Sequence, residues 1–257
     1  MNIFKLIRKP HFAAFLASLV LFVSCSQYEN SEDLSEQELL TKSRKHDKTV
    51  RLLTDAEIIQ IGESHNTNLE LLMSSNPTNL SEAKSRALEI YEKDGLTSED
   101  IDNYFDISDE FNTKYLTSLI EQAKTDFVDS DLLIQKLREI KTITDNNKLK
   151  QHEIATRNEL KGVDLDTYLI VSTVYQFSGD FWSHHNPEIP VETQASWREA
   201  DGISAAIGFF TLAAAFAAIS AVGVATGGTG VIPTVTIVAS LLRIGASSAL
   251  ASIYAAL

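Results

Sequence analysis

Apolar and polar positions along most of the chain alternate with the period of helices. Between Thr54 and Ser74, the residues Ile58, Ile61, Gly62, His65, Leu69, Leu72 and Met73 recur three and four apart, which places them on one helical face. Thr54 followed by Glu57 is the pattern of a capping box, and Asn76-Pro77 closes the element. A second helix is expected after Ser81, with Ala83, Ala87, Leu88 and Tyr91 inward and Gly95 as its stop. Shorter helices are expected over Thr97–Tyr104 and from Ser108, the latter with Phe111, Tyr115, Leu119, Ile120 and Ala123 on one stripe. Ser130 is placed to cap a further helix carrying Leu133, Leu137, Ile140 and Ile143. Lys148–Lys161 reads as a weakly amphipathic helix closed by Gly162. No segment sustains a period of two, so the expected class is all-α, a helical bundle.

Two stretches lose the polar face. Leu165–Trp182 holds Tyr168, Leu169, Val171, Val174, Tyr175, Phe177 and Phe181 with few polar positions, as the central helix of a bundle would. From Gly202 through Leu242 there is no charged residue, and Arg243 is the one charge before the C-terminus. Ile203–Ala225 and Thr234–Ala256 flank the reversal Thr226-Gly227-Gly228-Thr229-Gly230 and Pro233, the pattern of a helical hairpin. Each arm has roughly the 20 residues that span a bilayer, so a transmembrane helix is expected here. Gly208, Phe209, Phe210, Phe216, Gly223 and Gly227 are the residues expected to make membrane or helix–helix contact. Arg243 opposes insertion of the second arm. In the resting protein, Leu165–Trp182 is expected to cover part of the hairpin.

Charge and cysteine usage sharpen this picture. The net charge is −13 and no basic cluster is present, which excludes an electrostatic nucleic-acid interface. Cys25 is the only cysteine, so no disulfide forms within the chain. It follows a basic segment with Lys5, Arg8 and Lys9 and an apolar run at Phe12–Val23, as in a signal peptide. Leu21-Phe22-Val23-Ser24-Cys25 resembles the lipobox of bacterial lipoproteins, with Phe22 departing from the leucine-like residue usual at its position. The acidic run after Cys25, Glu29 to Asp33, is similar to the surface-export signals of Bacteroidota lipoproteins. These resemblances imply lipidation, palmitate included, at Cys25 and a location in the cell envelope at the outer membrane. The expected organisation is a signal peptide over 1–24, a polar tether over 25–50, a helical domain over 51–183, a linker over 184–200 and the hairpin over 201–257.

Candidate chemistry is sparse. His65-Asn66 has the makings of a general base with an orienting amide, but a histidine on an apolar helix face is more often a buried, hydrogen-bonded structural residue, and that reading is preferred. Asp180, His184, His185 and Glu188 offer metal-ligand types, at a spacing that matches no zinc pattern, so no metal is assigned. Ser178-Gly179-Asp180 lacks the nucleophile-elbow context, and Gly227-Gly228-Thr229-Gly230 lacks a lysine for phosphate. No cofactor and no enzymatic activity are expected. Gly62-Glu63-Ser64-His65-Asn66-Thr67-Asn68-Leu69 resembles the G-x-x-H-N-x-x-L helix of a family of secreted proteins and lipoproteins of Bacteroidota. Those proteins share an aromatic helix end, here Phe181-Trp182, and an alanine- and glycine-rich tail, and they carry no established activity. The tail, with Gly223 and Gly227 in GxxxG spacing, is also similar to membrane-active bacteriocins. The reading is a lipid-anchored envelope protein whose apolar hairpin meets a membrane or a helix, with a possible protein partner. A toxin-like membrane-active protein and a helical enzyme or metal binder using His65, His184 or His185 are the alternatives.

Overall fold

The computed structural model describes residues 51–92, 127–185, 195–209 and 234–256, with residues 49, 97–98, 117–118, 120–121 and 188 between them. All regular structure among these residues is helical. In chain order the helices are α1 (Asp55–Met73), α2 (Leu80–Tyr91), α3 (Ser130–Ile140), α4 (Asn146–Thr156), α5 (Gly162–His185), α6 (residues 195–209) and α7 (Thr234–Ala256).

Local chemistry sets the helix starts. Thr54 Oγ1 accepts from the Glu57 N–H while the Glu57 carboxylate takes the Thr54 N–H, so the capping box forms. Elsewhere the cap falls on a polar residue one to three positions before the expected start. Asn79 caps α2, Asp129 caps α3, and Asp145 caps α4. An amide or carboxylate oxygen was available one to three residues ahead of each serine or lysine expected to begin the helix, and it accepts from the N3 amide. Gly162 is the first residue of α5 rather than a terminator, and its φ of 55° turns the chain out of the loop after α4.

Helix α1 is the centre of the molecule, packed between α5 on one side and α7 on the other. Gly62 lets the Phe177 ring of α5 lie against it, since a Cβ there would sit 2.6 Å from that ring. Gly245 of α7 performs the same service towards Ser64, where a Cβ would be 2.6 Å from both Ser64 Cβ and Oγ. The first acidic residues of α5 fasten incoming chain. Asp166 accepts from Arg51 Nε at 2.7 Å and from the N–H groups of Leu52 and Leu53, while Asp164 accepts from the N–H groups of Val128 and Asp129.

The apolar tail is part of this core. Ile203, Ala205, Ala206 and Phe209 of α6 and Ile244 of α7 join one apolar cluster with Ile58, Ile61, Leu133, Tyr168 and Val174. Ala249, Leu250 and Ile253 of α7 join a second with Leu69, Leu72, Ala87, Phe181, Trp182 and Trp197. The expectation of a transmembrane helix is therefore corrected: among the described residues no helix is long and apolar enough to cross a membrane. Helix α7 carries Ser247, Ser248 and Ser252 as well as Arg243, and small residues that suit a close helix contact gain little from hydrocarbon. Leu165–Trp182 does cover part of the tail, through Val171 and Trp182, and α1 covers more of it. Helix α6 lies on α5, with Gly202 against Val171, whereas α7 lies chiefly on α1. Helix α6 also runs without a break through residues 200 and 201, where linker and hairpin were expected to meet. The two arms touch where Gly208 faces Ile244, a Cβ there lying 2.9 Å from the isoleucine side chain.

Candidate functional site

Between the two apolar clusters lies a layer of polar side chains. Along α1, His65 falls between Ile61 of the first cluster and Leu69 of the second; along α6, Asp201 falls between Ala205 and Trp197. Helical periodicity brings these residues, and Ser248 and Ser252 of α7, to the same level of the bundle. His65 and Asp201 are both fully buried, with His65 Nε2 and Asp201 Oδ2 3.2 Å apart. That distance makes an ion-pair contact, but the N–H is not aimed well enough at the oxygen for a good hydrogen bond. Asp201 Oδ2 also accepts from Ser252 Oγ at 2.9 Å, and Ser252 Oγ accepts from Trp182 Nε1 at 2.8 Å. One polar line thus joins α1, α6, α7 and α5.

On its other side His65 Nδ1 lies 2.9 Å from Asn66 Oδ1, and Asn66 Nδ2 donates to the Phe177 carbonyl. Asn68 donates to Ser64 and accepts from the Tyr91 hydroxyl of α2. Asn66 therefore does orient His65, as an acceptor at Nδ1. Asp201, Ser252 and Asn68 were not among the sequence candidates. Asp201 had one available signal: it is the last charge before the uncharged run that begins at Gly202.

Arg198, one turn ahead of Asp201, is buried and lies 4.0 Å above the Tyr175 ring. Its donors go to the carbonyls of Tyr175 and Thr144 and to Asn146 Oδ1, and Gly179 leaves the room it occupies. Burial pushes the guanidinium down from its ordinary value, against the opposing fields of Tyr175, Asp180 and Asp201.

The metal-ligand types near the end of α5 do not converge, and among the described residues no three such side chains do. Asp180 Oδ1 accepts from Asn146, His184 Nδ1 donates to the Asp180 carbonyl, and His185 stacks on Phe181 at 3.9 Å between ring centroids. Glu188 lies in an exposed turn beyond them. A shallow cleft of about 290 Å³ is lined by Glu70, Met73, Ser74, Asn76 and His185, away from the His65 layer. Of the contact residues expected in the tail, Phe209 is buried, and Gly208 is partly exposed where it packs against Ile244. Phe210, Phe216, Gly223, Gly227 and the lipidation candidate Cys25 lie outside the described residues.

A second histidine has a comparable set of neighbours nearer the surface. His152 Nδ1 is 2.7 Å from the Tyr168 hydroxyl and Nε2 is 2.9 Å from Glu139 Oε2. Hydrogen bonds from Gln135 and His152, with the Lys136 charge, hold the Glu139 carboxyl down at about 2, whereas burial pushes the Tyr168 phenol up.

No family model, no curated protein and no solved structure matches the chain.

Proposed function

We propose that the chain is a lipid-anchored cell-envelope protein, held at the outer membrane through Cys25 and a polar tether, with a helical domain whose apolar C-terminal segment acts as an internal helix–helix contact. The observation that carries this reading is the seating of α7 on α1, with Gly245 against Ser64 and Ser252 on Asp201. A segment engaged in this way is committed to the folded domain, and the lipid-bearing cysteine is the membrane attachment that the sequence offers. The role is structural or partner-binding rather than catalytic. In support of that, His65 is fully buried, with Nδ1 held by Asn66 and Nε2 packed against the equally buried Asp201.

Palmitate labelling with cell fractionation tests the anchor. Wild type should take up label and sediment with membranes, whereas Cys25→Ala should lose the label and move to the soluble fraction. Label retained by Cys25→Ala would refute the lipoprotein reading. An unlabelled variant that still sediments with membranes would refute the internal role of the tail.

A further inference from the structure

The cleft of about 290 Å³ where α1 and α5 end is lined by Glu70, Met73, Ser74, Asn76 and His185. Among the described residues, the Glu70 carboxylate and the Asn76 carboxamide have no hydrogen-bond or ion-pair partner. His185 Nδ1 gives its proton to the Phe181 carbonyl at 3.2 Å, and the ring stacks on the Phe181 ring. A carbonyl can only accept, so the neutral imidazole is left with Nε2 as a free acceptor. Ser74 is already committed: its hydroxyl donates to the Leu71 carbonyl and accepts from Arg86. Arg86, at the edge of the cleft, spends its other donors on the Leu71 carbonyl and on Glu89, which balances its charge.

The backbone adds to this bias. Helix α1 ends at Met73 and α5 at His185, so the negative ends of two helix dipoles meet at the cleft. The chain as a whole carries a net charge of −13, which draws cations towards it.

We infer that the cleft binds a small molecule bearing a primary ammonium group. An alkylammonium has three donors and no acceptor, and Glu70, Asn76 and His185 Nε2 offer three uncommitted acceptors. The bond to the Glu70 carboxylate is charge-assisted and is the strongest of the set. The partly buried Met73 side chain gives the carbon stem an apolar surface to lie on. The volume is at the small end for ligand clefts, which favours a short stem. An anion would find no uncommitted cation there, because Arg86 is engaged on every side. A zinc-like ion is served less well than an ammonium. One imidazole and one carboxylate fall short of the strong ligands it takes, and among the described residues no larger set converges.

The test is an NMR titration of the full chain in detergent at pH 8, carrying ¹³C-methyl methionine and ¹⁵N-histidine. Met73 and Met1 are the chain's two methionines, so the cleft has its own methyl signal. Butylammonium should shift the Met73 methyl and the His185 ring nitrogens saturably. Butyltrimethylammonium has the same charge and stem but no N–H, and should bind at least about tenfold more weakly, as expected for losing a hydrogen bond to a charged group. Glu70→Gln should weaken butylammonium by a similar factor. His185→Phe, which keeps an aromatic ring on Phe181 but has no Nε2, should weaken it less. Equal affinities for the two cations, or wild-type affinity in Glu70→Gln, would overturn the inference. Zinc chloride that shifts the same signals at micromolar concentration and resists displacement by butylammonium would overturn it too, by showing a metal site.

Discussion

Two histidines in this bundle have nearly the same neighbours and different freedom. His65 is set between an amide oxygen and a carboxylate, and His152 between a phenol and a carboxylate. The Tyr168 hydroxyl can rotate to donate or to accept, so it adapts to whichever tautomer the His152 ring adopts. Asn66 has no such choice, because its NH₂ is bound to the Phe177 carbonyl. Glu139 is partly open to water, while Asp201 is fully buried. The ligand set alone therefore does not decide what a histidine does. The rigidity of the neighbours and their distance from water decide how tightly the ring is held and what a substitution beside it costs.

The largest effect should come from breaking the buried pair on one side. Asp201→Ala removes the carboxylate beside buried His65 and the acceptor of the Ser252 hydroxyl, and should cost ~3–5 kcal/mol of unfolding free energy. Combining it with His65→Leu should return at least half of that loss, since neither partner is then left buried and unpaired. Urea denaturation of the two single variants and the double variant measures the coupling. If the losses simply add, the pair is not a unit and its contrast with His152 disappears.

What could be read in the sequence was what a short window contains. The all-α class, the Thr54–Glu57 cap and the long apolar α5 follow from local periodicity and local hydrogen bonds. The caps of α2, α3 and α4 were shifted because several polar residues stand side by side there. At α3, for instance, Asp129 is further held by Asp164, a partner 35 residues away. The buried layer was half legible. His65 stood on an apolar face and Asp201 stood at the edge of an uncharged run, but a single sequence has no term linking them. The tail was misread for a related reason. Length and lack of charge describe a bundle core as well as a membrane span, and only the seating of Gly245 on α1 separates the two.

A smaller perturbation moves the backbone rather than the charges. In Gly245→Ala the added methyl meets Ser64 Cβ and Oγ at 2.6 Å and the His65 backbone nitrogen at 2.9 Å. Backbone cannot step aside as a side-chain end can, so α7 must lift from α1, at a cost of ~1–3 kcal/mol by thermal or urea melting. Gly208→Ala meets the side chain of Ile244 instead and should cost less. The His152 cluster, which lies away from this contact, should keep its ring spectrum in both variants. A Gly245→Ala protein as stable as wild type would mean that α7 is not held tightly on α1 and that His65 is not rigidly enclosed there.

The smallest effect belongs to the peripheral histidine, and its signature is a pH window. Gln135 and His152 hydrogen bonds, with Lys136 beside them, hold the Glu139 carboxyl at about 2 against an ordinary 4.5. A carboxyl depressed in the fold adds stability that is fully present above the unfolded value and is lost as pH falls through the folded one, so the contribution fades between about 4.5 and 2. Asp164 and Asp166 act in the opposite sense. Burial raises both, so their contribution is complete below the ordinary carboxylate range and is lost as pH rises through their raised values. Glu139 is exposed enough for water to screen it, which limits the loss in Glu139→Gln at pH 7 to under about 1 kcal/mol. The informative quantity is therefore the difference between wild type and Glu139→Gln, followed by urea melting from pH 7 down to pH 3. It should shrink towards acid while the His65 ring signals stay unchanged at pH 7. A difference that is constant across that range would show that Glu139 acts through packing alone, and the two histidines would then differ in burial but not in the kind of partner they use.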